Sequence, residues 1–231
     1  MNTVIAALLV GPVRPLGATA HASGIDKQPV TQRLWLGAAG FAGDEQADRK
    51  HHGGPDKAVH HYAFDHYASW RDEIGPRAVL ARPGAFGENL STSGMTEADV
   101  CIGDVFRLGG ALVQVSQARQ PCWKLNLRFG HPQMAALVQR SGRTGWYYRV
   151  LESGWVAPGE QLALQERRHA GWPLARVLDV LYRRTLDLDA LAQLARIPEF
   201  PASWHRLFER RLDAQAVEDW NARLGGESLS G

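Results

Sequence analysis

The sequence predicts a mostly β fold with helices, of the α+β class, followed by a small α-helical unit. Short apolar segments separated by glycine and proline dominate the first 165 residues or so, and the chain has 24 Gly and 12 Pro. This composition is typical of turn-rich β structure. From about Gly171 the apolar residues recur at helical spacing instead. We therefore expect a β-rich domain over residues 1–167 and a helical extension over residues 168–231.

The strand predictions depend on apolar runs bounded by turn residues. Gly109 and Gly110 separate two apolar runs, which predicts a hairpin between residues 105–108 and 111–116. The other predicted strands are residues 4–10, 58–62, 147–151 and 161–165.

Two helices are predicted inside the β-rich part, over residues 64–74 and 132–140, and Gly142 is a plausible stop for the second. In the extension, residues 173–184 place a leucine and valine stripe on one face. Asp187 or Asp189 is expected to cap a second helix that ends near Ala195. Further helices are predicted over residues 202–212 and 216–224.

Composition excludes several classes of protein. The net charge of +2 is too small to indicate nucleic-acid or membrane binding. Two cysteines are too few for a disulfide-stapled secreted domain, so we expect a reducing, cytoplasmic location. No apolar run reaches the length of a membrane span, and the run over residues 4–10 lacks the basic start of a secretory signal.

The segment over residues 43–61, GDEQADRKHHGGPDKAVHH, is a candidate ligand-binding loop. Gly53 and Gly54 would let the backbone approach a ligand closely, and successive N–H groups there can surround an anion. Arg49, Lys50 and Lys57 are suited to a phosphate. The alternative is a solvated charged loop without a ligand.

Four of the nine histidines lie between positions 51 and 61, so a zinc site is a second alternative. His60 and His61 fall in a predicted strand, where neighbouring side chains point to opposite faces. No cysteine lies nearby to complete a common structural set of zinc ligands. The pattern therefore disfavours zinc.

Two later segments also carry polar chemistry. Asn89 and Ser91, in the segment AFGENLSTS, offer hydrogen-bonding groups for a heterocycle or phosphate, although the segment taken alone fits an ordinary polar loop better. Cys122 lies three residues after Arg119 and two before Lys124, an electropositive setting that favours the thiolate. Without further knowledge, a merely buried Cys122 is equally consistent with the pattern.

Cys101 and the tryptophans lead to simpler expectations. Cys101 lies between Val100 and Ile102, and we expect a small buried hydrophobe there. Aromatic candidates for lining a substrate pocket are Trp123, Trp146 and Trp155.

Five motifs in fixed order make the sequence resemble the MOSC domain family. They are GDEQ, HGGPDKAV, FGENL, GDVFRLG and VSQARQPC. This β-rich domain occurs in molybdenum-cofactor sulfurases and in the mitochondrial amidoxime-reducing component. The YiiM-type bacterial members, associated with resistance to N-hydroxylated purines, also carry a C-terminal three-helix extension. The resemblance therefore covers nearly the whole chain.

The resemblance implies a MOSC-type fold, a partly open and mostly antiparallel β-barrel with a few flanking helices. It also implies a molybdenum–molybdopterin cofactor, with the metal bound by the thiolate of Cys122 and the cofactor contacted by Asn89 and Arg119. Further cofactor-binding candidates are Arg49, Lys50, His52, Gly53, Lys57 and Ser91.

The implied activity is reductive removal of oxygen from N-hydroxylated small molecules such as N-hydroxylaminopurines, amidoximes and N-oxides, which would serve detoxification. Cys122 would act with a proton donor. The candidates for that donor are His52, Asp56 and Lys57, of which His52 is preferred because its ordinary pKa lies near neutrality.

Electrons must come from outside the chain. The sequence has no G-x-G-x-x-G dinucleotide fingerprint and no spare cysteines for an iron–sulfur cluster. A separate flavin or iron–sulfur reductase is therefore expected as partner. The helical extension is a candidate surface for docking that partner or for forming a homodimer.

Two other functions remain alternatives. The chain could carry sulfur as a Cys122 persulfide, although family sulfurases usually have a separate pyridoxal-phosphate domain, for which there is no room. The helices around Ile197-Pro198 could also suggest a DNA-binding helix-turn-helix. Ten Arg and no Lys against nine Asp and Glu after residue 166 give too little basic excess, so no nucleic-acid partner is expected.

Overall fold

The computed structural model describes residues 1–47 and 53–226. Within these ranges the strands are β1 (Asn2–Val4), β2 (Ala7–Val10), β3 (Arg14–Pro15), β4 (Ala22–Ser23), β5 (Gln28–Pro29), β6 (Leu34–Gly37), β7 (Gly40–Phe41), β8 (Val59–Ala63), β9 (Leu90–Thr92), β10 (Val105–Leu108), β11 (Ala111–Ala118), β12 (Trp146–Glu152), β13 (Gly154–Val156) and β14 (Gln161–Glu166). The helices are α1 (His66–Ile74), α2 (Lys124–Phe129), α3 (Met134–Ser141), α4 (Leu174–Tyr182), α5 (Leu188–Leu194), α6 (Ala202–Ala214) and α7 (Asn221–Gly225).

Nine strands form the main sheet, in the order β1-β14-β10-β11-β12-β8-β9-β2-β5. β1 lies at one edge and β2 lies next to the opposite edge, although only Ile5 and Ala6 join them. The sheet must therefore curl back on itself into a partly open barrel. Its strand pairs are antiparallel except for β8 with β9. The α+β class predicted from the sequence is confirmed.

The predicted hairpin between β10 and β11 is confirmed, and its turn requires glycine. Gly109 has φ +55°, and a Cβ at this position would lie 2.8 Å from the carbonyl oxygen of Trp155. A larger residue would push the hairpin away from β13.

Four adjacent strands bring distant parts of the chain to one end of the sheet. Along this row, Ala118 of β11 is the partner of Trp146 in β12. His61 of β8 lies on the other side of Trp146, and Leu90 of β9 is the next partner beyond His61. The residues beside this row, among them Arg119 and Asn89, are therefore neighbours in space although far apart in sequence.

The predicted strand over residues 4–10 is wrong as one continuous element. The amide of Ile5 donates to the carbonyl of Glu160, beside β14, whereas the amide of Ala6 donates to Ser91 of β9, each at 2.9 Å. The apolar run changes partner strand at this point, and the ladder breaks into β1 and β2. A hydropathy pattern does not record which neighbour a strand pairs with.

The helical extension packs onto the barrel rather than standing apart from it. One continuous hydrophobic cluster joins Ile102 and Val113 of the β-rich part to Leu181 and Phe208 of the helices. The Oδ1 atom of Asp187 accepts a hydrogen bond from the amide of Ala190 at 3.0 Å, so Asp187 is the cap of α5. The boundary between residues 167 and 168 stays a prediction.

The sequence reasoning missed the helix that follows the second cysteine. Leu125 and Phe129 of α2 enter a second hydrophobic cluster, with residues of α1, α3 and the segment around Phe86. This packing fixes the chain immediately after Cys122. In the described ranges no helix is long and apolar enough to cross a membrane.

Candidate functional site

A cleft of about 610 Å³ opens at the end of the sheet where Arg119 and Asn89 meet. Its walls come from the segments 23–27, 44–47, 57–60, 86–89 and 119–124, and from Tyr147. The three segments that the sequence singled out therefore converge here, together with residues 23–27, which it did not.

Cys122 lies in the wall of the cleft with 9% of its surface exposed. It follows β11 after a short loop, and its carbonyl accepts a hydrogen bond from the amide of Leu125 at 3.0 Å at the start of α2. Cys101 differs from it as predicted. It is buried away from this cleft, its Sγ atom lies 3.8 Å from the carbonyl oxygen of Ala170, and burial raises the pKa of its thiol.

Arg119 is a buried cation with an unused hydrogen-bond donor. It is 6% exposed, and its Nη1 atom has no partner in the described part of the chain. Its backbone amide donates to the carbonyl of Gly145 at 3.0 Å, which fixes the start of the side chain. Because buried polar groups are rarely left unsatisfied, this guanidinium is suited to an oxygen of a bound anion.

His60 and Tyr147 face the cleft together. They are paired across β8 and β12, and their ring centroids lie 4.9 Å apart. Burial, and next the charge of Arg119, hold the pKa of His60 well below its usual range, so the ring is neutral near pH 7. Its Nε2 atom has no hydrogen-bond partner among the described residues. Sequence reasoning considered His60 only as a zinc ligand.

His61 points to the other face of the sheet, as strand alternation predicted. Its ring nitrogens hydrogen-bond to the Tyr148 hydroxyl at 3.0 Å and the Thr92 hydroxyl at 2.8 Å inside the barrel. The two adjacent histidines therefore belong to different environments.

A buried ion pair that the sequence reasoning did not find forms the floor of the cleft. Lys27, 5% exposed, contacts the carboxylate of Asp44, whose side chain is 1% exposed. That carboxylate also accepts from the amide of Gly11 at 3.1 Å and from Nδ2 of Asn89 at 2.9 Å. Burial lowers the pKa of Lys27, and the charge of Asp44 opposes that effect.

Asn89 lines the cleft as predicted, but its side chain also holds the wall together. Its Oδ1 atom accepts from the amide of His60 at 3.0 Å, and Nδ2 donates to the carbonyl of Leu9 at 3.1 Å in addition to Asp44. The structure thus gives Asn89 a clear role in positioning His60 and Asp44, and its contact with a cofactor stays a prediction.

The other predicted site residues are divided between the cleft and its surroundings. Lys57 lines the cleft. Asp56, the residue before it, forms an ion pair with Arg149 at 2.7 Å and is not part of the lining. Ser91 is buried in β9, and neither it nor Gly53 contributes to the walls. Arg49, Lys50 and His52 lie outside the described residues, so their predicted roles stay predictions.

The described lining of the cleft is net positive. Four cationic side chains, Lys27, Lys57, Arg119 and Lys124, face two anionic ones, Asp44 and Glu45. Since Lys27 already neutralises Asp44, the field at the mouth favours an anionic ligand. None of Trp123, Trp146 and Trp155 lines the cleft, and its aromatic surface comes from Phe86 and Tyr147 instead.

Comparisons with known proteins identify the family of the chain. The model of the MOSC domain matches residues 48–163, and the model of the YiiM-like 3-alpha helix domain matches residues 172–215. The chain belongs to the MOSC domain family. The family membership and the three-helix extension predicted from the sequence are confirmed.

Among MOSC relatives, the chain is 40% identical over 205 residues to protein YiiM of Escherichia coli, covering 89% of this chain and 91% of that one. The crystal structure of YiiM from Escherichia coli superposes with a TM-score of 0.82 at 33% identity, covering 98% and 100% of the two chains. The chain is also 41% identical over 177 residues to a protein of Gibberella moniliformis named reductase, over 76% of this chain but 31% of that protein.

Proposed function

We propose that this protein is a molybdenum-cofactor-dependent reductase that removes oxygen from N-hydroxylated compounds such as N-hydroxylaminopurines, amidoximes and N-oxides. The observation that carries the proposal is the placement of Cys122 in one cleft with the buried guanidinium of Arg119, whose Nη1 atom has no hydrogen-bond partner among the described residues. The MOSC family membership and the relative named reductase support an oxidoreductase role.

The side chains of the cleft fit such a cofactor. A thiolate is a soft ligand suited to a heavy transition metal, and Cys122 lies in the wall with part of its surface exposed. Arg119, Lys57 and Lys124 would hold the anionic phosphate and the polar pterin. In the described ranges no three His, Cys, Asp or Glu side chains gather at metal-binding positions, so the remaining metal ligands would come from the cofactor itself.

When bound, the molybdenum cofactor supplies two-electron oxygen-atom-transfer chemistry, while the protein orients the reactants. Cys122 would anchor the metal, and the aromatic rings of Phe86 and Tyr147 in the lining are suited to contact with a flat purine or aryl substrate. The neutral His60 places a ring nitrogen in the wall without adding charge.

Lys57 is our choice for proton delivery among the described candidates. It lines the cleft, whereas the carboxylate of Asp56 is held by Arg149 through its Nε atom at 2.8 Å. From this position the Lys57 side chain would deliver a proton to the nitrogen from which the oxygen is removed. The preferred candidate from the sequence, His52, lies outside the described residues and keeps its place as a prediction.

Electrons would come from a separate flavin or iron–sulfur protein. Neither of the two cysteines is available to bind an iron–sulfur cluster, because Cys101 is buried and Cys122 lies in the cleft. The matched region is 31% of the fungal relative named reductase.

The test is turnover of defined substrates. Protein produced in cells that synthesise the cofactor is mixed with benzamidoxime or N-hydroxyadenine and a chemical reductant, and the amidine or adenine is measured. We expect reduction by the wild-type protein, loss in Arg119→Ala, and retention in Arg206→Ala, which alters an exposed arginine of α6. Cofactor-loaded protein that reduces none of these substrates would contradict the proposal.

The second candidate function is sulfur carriage on Cys122. It is favoured by the same exposed part of the thiol and by the cationic lining, which would stabilise an anionic persulfide. Release of cyanide-reactive sulfur from Cys122, in protein that binds no molybdenum, would establish this function instead.

A further inference from the structure

The last described segment of the chain, residues 216–226, returns to the loop that carries Cys122. We call this segment the strap and residues 119–123 the cysteine loop. The Nη1 atom of Arg223 donates to the carbonyl of Pro121 at 2.6 Å, and the carbonyl of Arg223 accepts from the amide of Trp123 at 2.8 Å. One strap residue thus bonds to both neighbours of Cys122.

The strap makes further contacts with α2 and with the side chain of Trp123. The carbonyl of Leu224 accepts from Nδ2 of Asn126 in α2 at 2.8 Å. The ring of Trp123 lies between His21, at a centroid distance of 4.8 Å, and Gly226, where a Cβ would lie 3.2 Å from ring atoms. The strap therefore also covers the side chain that follows the cysteine.

The other end of the strap is tied to the helical extension. The carboxylate of Glu218 accepts two hydrogen bonds from the guanidinium of Arg211, at 2.7 and 2.9 Å, and one from Trp220 at 2.8 Å. Arg211 is 1% exposed and donates to the carbonyl of Leu181 at 2.9 Å. The ring of Trp220 packs edge-on against Tyr182 at 5.6 Å. This bidentate pair, in which Arg211 is buried and Glu218 is partly exposed, anchors the strap to α6.

The strap supplies the hydrogen-bond partners of the Pro121 carbonyl and the Trp123 amide, the backbone groups on either side of Cys122. Pro121 has no amide hydrogen to donate, and α2 begins without a side-chain cap. Arg223 also donates through Nη2 to Gln139 of α3 at 2.5 Å, which fixes its guanidinium between two elements.

We propose that Arg223 is a positioning residue and that the strap couples the helical extension to the geometry of Cys122. The strap lies beyond residues 172–215, the range that matches the three-helix model, so this role is separate from that domain. The inference uses the proposed function only for the task of Cys122, and the position of the thiol can be measured without cofactor.

The experiment measures alkylation of Cys122 by iodoacetamide in cofactor-free protein. All variants carry Cys101→Ser, so that one thiol reports. We expect Arg223→Ala to raise the alkylation rate about tenfold, which corresponds to about 1.4 kcal/mol, within the range found for single hydrogen bonds. The alkylation rate of Arg223→Lys should lie between the two, since a single Nζ atom cannot occupy both positions that Nη1 and Nη2 hold against Pro121 and Gln139. The matched control Arg206→Ala should alkylate at the parent rate.

Molybdenum content, measured on the same variants made in cofactor-producing cells, separates the two proposals. Faster alkylation with reduced molybdenum in Arg223→Ala supports both. A second possible result is faster alkylation of Arg223→Ala with unchanged molybdenum content, while Cys122→Ser also retains the metal. This result supports the strap proposal and contradicts the proposed function. Unchanged alkylation in Arg223→Ala and in a chain ending at residue 215 overturns the strap proposal, whatever the metal content.

Discussion

The buried ion pair between Lys27 and Asp44 provides a sharp test of how the cleft is held together. Replacing Lys27 with methionine keeps the length of the side chain but leaves the carboxylate of Asp44 unpaired, with a side chain 1% exposed. Breaking a buried ion pair by removing one partner typically costs about 3–5 kcal/mol. Asp44 keeps the hydrogen bonds from Gly11 and Asn89, so we expect a loss near the lower limit, about 3 kcal/mol.

Urea unfolding at pH 7, followed by tryptophan fluorescence, measures this loss. Adding Asp44→Asn to Lys27→Met should recover most of it, because the double variant buries no unpaired charge. The control Lys124→Met removes a partly exposed lysine with a single 3.0 Å bond to the carbonyl of Ala22, and it should cost less than about 1 kcal/mol. A loss below about 1 kcal/mol for Lys27→Met, or no recovery in the double variant, would refute the reasoning.

Three further predictions concern the supports of the site and the extension. Gly145→Ala should destabilise the fold by at least about 2 kcal/mol, because φ is +71° and a Cβ would lie 2.4 Å from the carbonyl oxygen of His61. Gly171→Ala, where a Cβ would make only an ordinary 3.9 Å contact with the end of the Arg176 side chain, is the control, and equal urea midpoints for the two variants would count against the geometry. Burial lowers the pKa of His61 to about 3 against about 6.5 when unfolded, so between these values only the unfolded chain binds the proton. His61 should therefore contribute up to about 1.4 kcal/mol per pH unit to the fall of the unfolding free energy as the pH drops from 6.5, in addition to the contribution of His60, whose pKa burial also lowers. His61→Gln should reduce the slope by about that amount in urea titrations at pH 4, 5 and 6; an unchanged slope would show that other groups are responsible. Asp187→Ala should lower the unfolding free energy by about 1 kcal/mol through loss of the α5 cap, and Asp189→Ala should lower it clearly less. A lower melting temperature for Asp189→Ala than for Asp187→Ala would contradict the assigned cap.

Local sequence patterns predicted those parts of the molecule whose structure is set locally. The β10–β11 hairpin follows from Gly109-Gly110 between two apolar runs, and the sequence narrowed the α5 cap to Asp187 or Asp189, of which the structure shows Asp187. Cys122 and Arg119 lie in one short motif, and their role toward a cofactor is implied by the resemblance to the MOSC domain family and stays a prediction.

Other features depend on contacts that no local pattern records. The pair Lys27 and Asp44 joins two loops 17 residues apart, and the bond from Arg223 to Pro121 spans 102 residues. His60 was missed as a cleft residue because every position of β8 is buried on both faces. Alternation shows that His60 and His61 differ, but it does not show which one faces a ligand.

The helical extension has a closer relation to the site than a separate unit would have. It shares one hydrophobic cluster with the barrel, and the strap continues from it to the cysteine loop. A change in the packing of the helices can therefore reach Cys122 through Glu218 and Arg223 without altering the barrel strands.

Molybdenum and pterin analysis of the two cysteine variants tests the central claim most directly. Cys122→Ser and Cys101→Ser are purified from cells that make the cofactor, beside the wild-type protein. A serine hydroxyl is a poor substitute for a soft thiolate, so we expect Cys122→Ser to lose the metal while Cys101→Ser retains as much molybdenum and pterin as the wild type. Retention of both by a folded Cys122→Ser protein would contradict the account.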